Sequence, residues 1–228
     1  MAIFVTGTGT DVGKTFVAAA LVRHLRNAGQ AVDAIKPVVS GFDPAAPAVS
    51  DPGVLLAALG KSATIEEIDR ISPWRFAAPM SPDLAAIREG RSIDFNALLA
   101  FCRKRAAEAA GILIIEGVGG LMVPLDAKRT VLDWITALRV PVLLVAGSYL
   151  GTFSHTLTAL HVLAGRNLDI WAVVVSESPS CGASLEETVA TIARFADSIE
   201  VIGLSRLSGD PSSHPAVARI AQLLWRLP

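Results

Sequence analysis

The chain has 228 residues, of which 52% are hydrophobic and 18% charged, so it can bury a sizeable core. Its formal net charge of -1 argues against a dedicated nucleic-acid binder, which usually presents a basic face. No apolar run is long enough to span a membrane, and the N-terminus lacks the regions of a secretory signal. Two cysteines are too few for a disulfide framework. We therefore expect one cytoplasmic domain over residues 1–228 that binds neither nucleic acid nor membrane.

Short β-rich runs alternate with longer helical stretches along the chain. Most of the runs are apolar throughout, as in strands that are covered on both faces. The alternation predicts an α/β fold with a mostly parallel central sheet, helices on both faces and ligands at the carboxyl ends of the strands. The predicted strands are AIFVT from Ala2, AVDAIKP from Ala31, ILIIE from Ile112, VPVLLVAG from Val140, DIWAVVVS from Asp169 and IEVIGL from Ile199.

Four stretches carry helix signals. The first begins at Lys14, and the second begins near Asp51, whose carboxylate could cap it ahead of a proline. The stretches from Asp94 and from Ser184 are amphipathic. Between the first two helices, SGFDPAAPAVSDPG from Ser40 is rich in Pro, Ala and Ser, and we expect a mobile loop there.

The first strand runs into VTGTGTDVGKT, which is similar to a phosphate-binding loop with one extra residue. The usual pattern is a glycine, four residues and then Gly-Lys-Ser/Thr, but here the glycine is Gly7 and the expected position holds Thr8. Backbone N–H groups at the helix start can bind phosphate, Lys14 can reach the β- and γ-phosphates, and Thr15 can ligate Mg²⁺. The context predicts a P-loop NTPase-type fold; the alternative is a glycine-rich turn followed by a surface lysine.

Three charged residues are placed to act at the same edge of the sheet. Glu116 ends an apolar strand and would supply a metal carboxylate, with a tight turn and an exposed Glu as the alternative. The glycines that follow it let a ligand approach the backbone closely. Asp51 is a second candidate ligand, although a plain helix cap explains it equally well. Lys36 ends the second strand, where a cation could offset charge in phosphoryl transfer; a solvated lysine is the alternative.

Seven segments identify a resemblance to the dethiobiotin synthetase family. VTGTGTDVGKT, KPVVSG, FAAPMSP, EGVGGLMVPL, DW, VPVLLV and LGTFSHT occur in the order and at the spacing of that family, from Ile3 to Gly203. The extra loop residue is a trait of the family. The resemblance implies a homodimer that uses ATP to join CO2, drawn from bicarbonate, to the two amines of 7,8-diaminononanoate. A carbamate, a carbamic-phosphoric anhydride and a cyclic urea follow in turn.

The resemblance also implies a role for each matching residue. The catalytic cations would be Lys14 and Lys36, which would bracket the carbamate and the γ-phosphate, and His155 would be a helix residue near the substrate and not a base. Mg²⁺ would be held by Thr15, Asp51 and Glu116. The substrate would contact Thr10 and Ser40 and, across the dimer interface, Gly151, Thr152, Phe153 and Ser154. ATP would contact Asp11, Val12, Gly13, Lys14, Thr15, Phe16, Asp51, Glu116, Gly117, Val118, Gly119, Ser176, Glu177, Arg206, Leu207 and Ser208.

The chain departs from the family pattern at the nucleobase. The family often has Asn-Asp after the fifth strand, where the Asn contacts the adenine edge, but this chain has Ser176 and Glu177. A single hydroxyl cannot make the two hydrogen bonds of an amide. We therefore expect ordinary phosphate binding with relaxed selectivity for the base.

Two rival classes share the P-loop superfamily. ATP-switch proteins of the partition or septum-positioning type carry a second lysine five residues before the Gly-Lys-Thr lysine, where this chain has Gly9. Cobyrinate amide synthetases add a glutamine amidotransferase domain, for which 228 residues leave no room. The sequence therefore favours the interpretation as a dethiobiotin synthetase, and a switch ATPase is the alternative.

Overall fold

The structure, a computed structural model, describes residues 1–180, 182–206 and 211–224, which form eight strands and nine α-helices. Two short 3-10 helices lie at Pro47–Val49 and Pro211–Ser213. The strands are β1 (Ala2–Gly7), β2 (Val32–Ile35), β3 (Val38–Ser40), β4 (Trp74–Phe76), β5 (Ile112–Glu116), β6 (Val142–Gly147), β7 (Ile170–Ser176) and β8 (Glu200–Leu204). The helices are α1 (Lys14–Asn27), α2 (Asp51–Ala58), α3 (Ile65–Ile71), α4 (Pro82–Arg88), α5 (Phe95–Glu108), α6 (Val131–Leu138), α7 (Thr152–Gly165), α8 (Leu185–Ala193) and α9 (Pro215–Leu224).

All six predicted strands lie in one parallel sheet, in the order β2-β5-β1-β6-β7-β8. Every residue of β1, β5 and β6 is buried, as expected for strands covered on both faces. Helix α1 packs against α2 and α9, while α5 packs against α6 and α7 against α8. Within the core, Phe4 of β1 meets Trp134 of α6 edge-on, with ring centroids 4.8 Å apart. The predicted α/β fold with a parallel sheet is confirmed.

The carboxyl ends of three neighbouring strands bring the predicted functional residues together. Strand β1 pairs with β5 on one side and β6 on the other, and Val5 lies opposite Glu116. Strand β2 pairs with β5, with Ile35 opposite Ile115, so Lys36 emerges beside the end of β5. Because these strands are parallel, the loop after β1 shares an edge of the sheet with both charged residues.

The segment around Ser40 is more regular than the mobile loop expected from the sequence. Strand β3 ends at Ser40 and pairs in parallel with β4, forming a two-stranded sheet apart from the main one. A 3-10 helix and then α2 follow before residue 60. Strands of three residues are too short to show the alternation that identifies a strand, so the sequence pattern did not indicate them.

The described residues bear on two expectations from the sequence, one about membrane spans and one about the cysteines. None of the helices there is long and apolar enough to cross a bilayer. Cys102 is a free thiol buried in α5, and its burial raises its pKa to about 12, so it is protonated at neutral pH. The second cysteine, at position 181, lies outside the described residues.

We expect Gly111→Ala to destabilise the protein, because Gly111 allows β2 and β5 to meet. A Cβ there would lie 2.0 Å from the carbonyl oxygen of Ala31, which accepts a hydrogen bond from the N–H of Ile112 at 2.9 Å. Relieving the clash should lower the free energy of unfolding by about 1–3 kcal/mol in urea titrations. The control is Gly165→Ala in α7, where a Cβ meets nothing within 4 Å. Equal stabilities of the two variants would contradict this account.

Candidate functional site

The loop between β1 and α1 has the backbone of a phosphate-binding loop. A Cβ on Gly7 would lie 2.9 Å from the Val12 side chain, and Gly13 precedes α1 with a left-handed φ of 94°. No described side chain caps α1, so its first N–H groups can bind an anion. The extra residue fits because the chain stays attached to the sheet beyond β1, where the Thr8 N–H donates to the Val145 carbonyl at 3.0 Å.

Lys14, the first residue of α1, folds back into this loop. Its Nζ donates to the carbonyl oxygen of Gly9 at 2.6 Å, and its side chain is buried. Burial, followed by the nearby Lys36 ammonium, lowers the pKa of Lys14 to about 8. Lys14 is therefore mostly charged at neutral pH, and within the loop its ammonium donates to the Gly9 carbonyl.

Lys36 lies between two carboxylates beneath the loop. Its Nζ is 2.5 Å from Glu116 Oε1 and 2.8 Å from Asp51 Oδ2, and it donates to the Gly117 carbonyl at 3.0 Å. The residue is only 2% exposed. Although burial favours the neutral amine, the two carboxylates hold the pKa of Lys36 above its usual value. The alternative of a solvated lysine is therefore wrong.

Asp51 is not the cap of α2. The cap is Ser50, whose Oγ accepts the N–H of Gly53 at 3.2 Å, and Asp51 is the first residue of the helix. Its carboxylate is thereby free to reach Lys36. Burial opposes ionisation, but Lys36 lowers the pKa of Asp51. The interpretation of Asp51 as a plain helix cap is therefore wrong.

Glu116 is fully buried at the end of β5 and connects the loop to Lys36. The Thr15 hydroxyl donates to its Oε1 at 2.6 Å, and Lys36 contacts the same oxygen. Burial raises the pKa of Glu116, and the Lys36 ammonium and the Thr15 hydroxyl work against that rise. The alternative of a tight turn with an exposed Glu is wrong, because this side chain is 0% exposed.

The oxygen atoms of this cluster fit a hard divalent cation. Thr15, Asp51 and Glu116 offer one hydroxyl and two carboxylates, joined through Lys36 and short hydrogen bonds. Glu116 Oε2 is buried and has no hydrogen-bond partner in the protein, so one carboxylate oxygen remains available. Mg²⁺ prefers such ligands and completes its shell with water and substrate phosphates. The residues present therefore fit a magnesium ion that binds together with a nucleotide.

A cleft of about 900 Å³ opens above the loop and the charged cluster. Ser40 lies in it, and its Oγ is buried without a partner in the protein. Sequence reasoning gave no role to the rest of the lining, although FAAPMSP contributed to the resemblance. These residues are Val39, Gly41, Val49, Ser50, Pro79, Met80, Ser81, Pro82 and Val123. The predicted residues that line the cleft are Thr10, Asp11, Gly13, Lys14, Thr15, Phe16, Lys36, Ser40, Asp51, Val118 and Gly119.

The predicted substrate residues at the start of α7, Gly151 to Ser154, do not line this cleft. Helix α7 begins at Thr152, whose hydroxyl donates to the Gly147 carbonyl at 2.5 Å, and Gly151 before it has a φ of 98°. Gly151 and Ser154 are exposed and Phe153 is half-buried. Within one chain, this turn therefore lies outside the larger cleft.

His155 lines a second cavity of about 440 Å³, which meets the cleft at Thr10 and Val123. Its Nδ1 shares a hydrogen bond of 2.8 Å with the Tyr149 hydroxyl. His155 is absent from the lining of the larger cleft that contains the two lysines, and its interpretation as a helix residue near the substrate and not a base stays a prediction.

The predicted base-binding residues lie on the far side of the loop from the carboxylates. Ser176 ends β7, and its Oγ is 2.7 Å from the position that a Cβ on Gly13 would take. Glu177 follows, and its Oε2 accepts the backbone N–H of Arg206 at 2.8 Å. The last two predicted residues, Leu207 and Ser208, lie outside the described residues.

The parallel sheet, the glycine loop after its β1 strand and the lysine–carboxylate cluster define a P-loop nucleotide-binding α/β protein. A family profile described as an AAA domain matches residues 1–207. A chain of the MinC:MinD cell division protein complex of Aquifex aeolicus has a TM-score of 0.56 at 14% identity, covering 99% of this chain and 94% of that one. Such an identity shows a shared fold alone.

ATP-dependent dethiobiotin synthetases are similar to the chain at much higher identity. The relative from Methylobacterium nodulans is 50% identical over 216 residues, which cover 92% of this chain and 95% of the relative. The relative from Acidiphilium cryptum is 49% identical over 192 residues, covering 84% and 86%. The relative from Caulobacter vibrioides is 47% identical over 205 residues, covering 90% and 92%. The chain belongs to the dethiobiotin synthetase family, as its motifs predict.

We expect the affinity for ATP to weaken as the pH rises above about 8. The pKa of Lys14 is about 8 in the free protein, and the phosphates of bound ATP would raise it, because a nearby opposite charge favours the charged form. Binding is then coupled to proton uptake. The affinity should be full below pH 8, and the Kd should rise by up to about tenfold per pH unit until the pKa of the complex is reached. Isothermal titration calorimetry from pH 7 to pH 10 measures this profile.

The matched control is Lys14→Arg, which keeps a charge that does not titrate in this range. Its profile should be flat, whatever its absolute affinity. A slope in Lys14→Arg equal to that of the unmodified protein would show that another group titrates.

Proposed function

We propose that this cleft carboxylates 7,8-diaminononanoate and closes the product to dethiobiotin, releasing ADP and phosphate. The type of reaction follows from membership of the dethiobiotin synthetase family. Lys14 and Lys36 both line this cleft, beside the cluster of Thr15, Asp51 and Glu116. This arrangement is the observation that assigns the reaction to the cleft. Phosphoryl transfer needs mainly positioning and electrostatic stabilisation, and two cations beside metal ligands provide both.

In this proposal ATP lies along the loop with its terminal phosphate toward Glu116 and its base toward Ser176. The backbone from Asp11 to Phe16 surrounds the phosphates, and Thr15, Asp51 and Glu116 hold Mg²⁺. When bound, the ion neutralises charge on the phosphate oxygens. The unpartnered Glu116 Oε2 supports this placement. The Gly117 turn is fixed against the core, since a Cβ there would lie 2.8 Å from the Phe4 ring.

The chemistry begins on the diamine, which supplies its own base. One amine attacks the carbon of CO2 and passes a proton to the second amine, which leaves a carbamate. A carbamate oxygen then attacks the γ-phosphorus, and the bond from that phosphorus to the bridging oxygen breaks to release ADP. The second amine, after losing its proton to solvent, attacks the carbonyl carbon. Phosphate leaves with the carbamate oxygen, the attacking nitrogen loses a proton to solvent, and the cyclic urea forms.

The residues of the cleft hold the reacting groups and stabilise their charge. Lys14 and Lys36 would lie on either side of the carbamate and the γ-phosphate, where negative charge is concentrated. Thr10 and Ser40 would position the diamine, and Ser40 has a buried hydroxyl that no protein group satisfies. Closure of the ring depends on holding the second amine near the anhydride, which is an effect of proximity.

A second copy of the chain would complete the site. The α7 start at Gly151 to Ser154 does not line its own cleft, and no described side chain caps it, so N–H groups of its first turn suit the carboxylate of a substrate held by another copy. Leu150 beside it is 92% exposed, and Met122 is exposed as well. Exposed apolar side chains next to a binding turn are consistent with a homodimer contact. We also propose that residues 1–228 act as one domain in the cytoplasm.

We expect phosphate release to require diaminononanoate and bicarbonate together. Phosphate release that proceeds equally well without either substrate would instead favour a switch ATPase.

Lys36→Ala should lower kcat by about 100- to 1,000-fold, the usual effect of losing one group that stabilises transition-state charge. Lys104→Ala is the control, since Lys104 is 73% exposed on α5 and should leave turnover unchanged.

We expect GTP and CTP to support turnover with kcat/KM within about two decades of ATP. Phosphate contacts do not involve the base, and Ser176 can make only part of the contact of an amide. A missing hydrogen bond is worth about 0.5–1.5 kcal/mol, or up to about tenfold in preference. Ser176→Asn should sharpen the preference for ATP. Discrimination above about a thousandfold in the unmodified protein would show that other groups bind the base edge.

A further inference from the structure

Lys36 occupies the position of a cation at the proposed metal site. Its Nζ is 2.5 Å from Glu116 Oε1 and 2.8 Å from Asp51 Oδ2, and these two carboxylates are the acidic ligands proposed for Mg²⁺. The ammonium is buried and also donates to the Gly117 carbonyl. Without a metal, the chain therefore supplies one cation of its own to both carboxylates.

A second cation on Glu116 would lie close to the Lys36 ammonium, even if it bound through the unpartnered Oε2 of the same carboxylate. Thr15 and Lys36 share one oxygen, Glu116 Oε1, at 2.6 and 2.5 Å. A divalent ion bound to the Thr15 hydroxyl and to Glu116 would lie against the Lys36 ammonium. Repulsion between cations so close together is much stronger in a buried site than in water.

We propose that Lys36 is the internal counter-ion of the metal-free site and that it leaves Glu116 and Asp51 when magnesium enters with a nucleotide. The inference rests on the proposed function, because it assumes that these carboxylates hold Mg²⁺. The lysine has a long flexible stem, and Lys36 lines the cleft. The terminal phosphate offers the displaced ammonium a new anionic partner. Binding of the metal therefore also moves the Lys36 ammonium to the phosphate, where it would stabilise charge.

Lys14 has a comparable arrangement in the same cleft. Its Nζ rests on the Gly9 carbonyl, inside the loop that would surround the phosphates. An incoming nucleotide therefore meets two cations held by internal partners, and only Lys36 is held by the metal carboxylates. Free Mg²⁺ must compete with Lys36 for the carboxylates, whereas Mg²⁺ bound to a nucleotide brings phosphates that can pair with the displaced ammonium. We therefore expect the metal to bind together with the nucleotide and not before it.

The first experiment measures Mg²⁺ binding without nucleotide by calorimetry and by thermal unfolding after treatment with EDTA. The unmodified protein should show no stabilisation by millimolar Mg²⁺. Lys36→Met should bind free Mg²⁺ at least about tenfold more tightly, since the competing cation is gone. The Lys36→Met, Glu116→Gln double variant should lose that gain. Lys104→Met, which removes a distant exposed lysine, should match the unmodified protein. Equal Mg²⁺ affinities in Lys36→Met and Lys104→Met would overturn the proposal.

The second experiment uses the unmodified protein, so it remains decisive if Lys36→Met does not fold. A buried, ion-paired ammonium exchanges its protons slowly and gives a lysine ¹H–¹⁵N signal, which is assigned by its loss in Lys36→Arg. The signal should persist with Mg²⁺ alone and shift with Mg²⁺ and ADP together. A shift with Mg²⁺ alone, or none with Mg²⁺ and ADP, would overturn the displacement of Lys36. If Mg²⁺ does not change the affinity for ADP, the proposed metal site itself is wrong.

Discussion

The buried contact between the Lys36 ammonium and the carboxylates of Glu116 and Asp51 is the interaction on which the site depends. Charges taken out of water are costly unless they are paired and hydrogen-bonded. Here each charge has a partner of opposite sign, and Thr15 adds a hydrogen bond. The pairing holds the two proposed metal ligands and the proposed catalytic cation within contact distance before any substrate arrives. In this account, loading the site requires movement of the Lys36 side chain and little else.

The parallel sheet makes this cluster possible because it brings residues distant in sequence to one edge. Lys36 follows β2 and Glu116 ends β5, and these strands are neighbours in the sheet. The loop after β1 lies on the other side of β5. Strand β3 and the segment after β4 contribute Val39, Ser40 and Pro79 to the lining of the cleft. A rigid, buried sheet therefore fixes the charged end of the cleft, while the proposed substrate contacts lie on loops and at the start of α7.

The sequence predicted the sheet and the loop because both have strong local signatures. Continuous apolar runs identified the six strands of the main sheet, and Gly13-Lys14-Thr15 after a strand identified the loop. Local sequence named Asp51 and Lys36 as candidates but left a helix cap and a solvated lysine as alternatives, because their roles depend on each other across the fold. The capping role of Ser50 freed Asp51, and no local pattern distinguished the two residues as caps. β3 and β4 were missed because three residues carry no periodicity.

The transfer of oxygen from CO2 to phosphate tests the central claim, phosphorylation of a carbamate in this cleft, most directly. Single turnovers with ATP, diaminononanoate and fully ¹⁸O-labelled bicarbonate would be stopped before the label exchanges with water. Mass analysis of the released phosphate should find one ¹⁸O atom in each phosphate, because the carbamate oxygen leaves with it. Phosphate that carries oxygen from solvent and none from bicarbonate would mean that water attacks the γ-phosphorus, and would contradict the account.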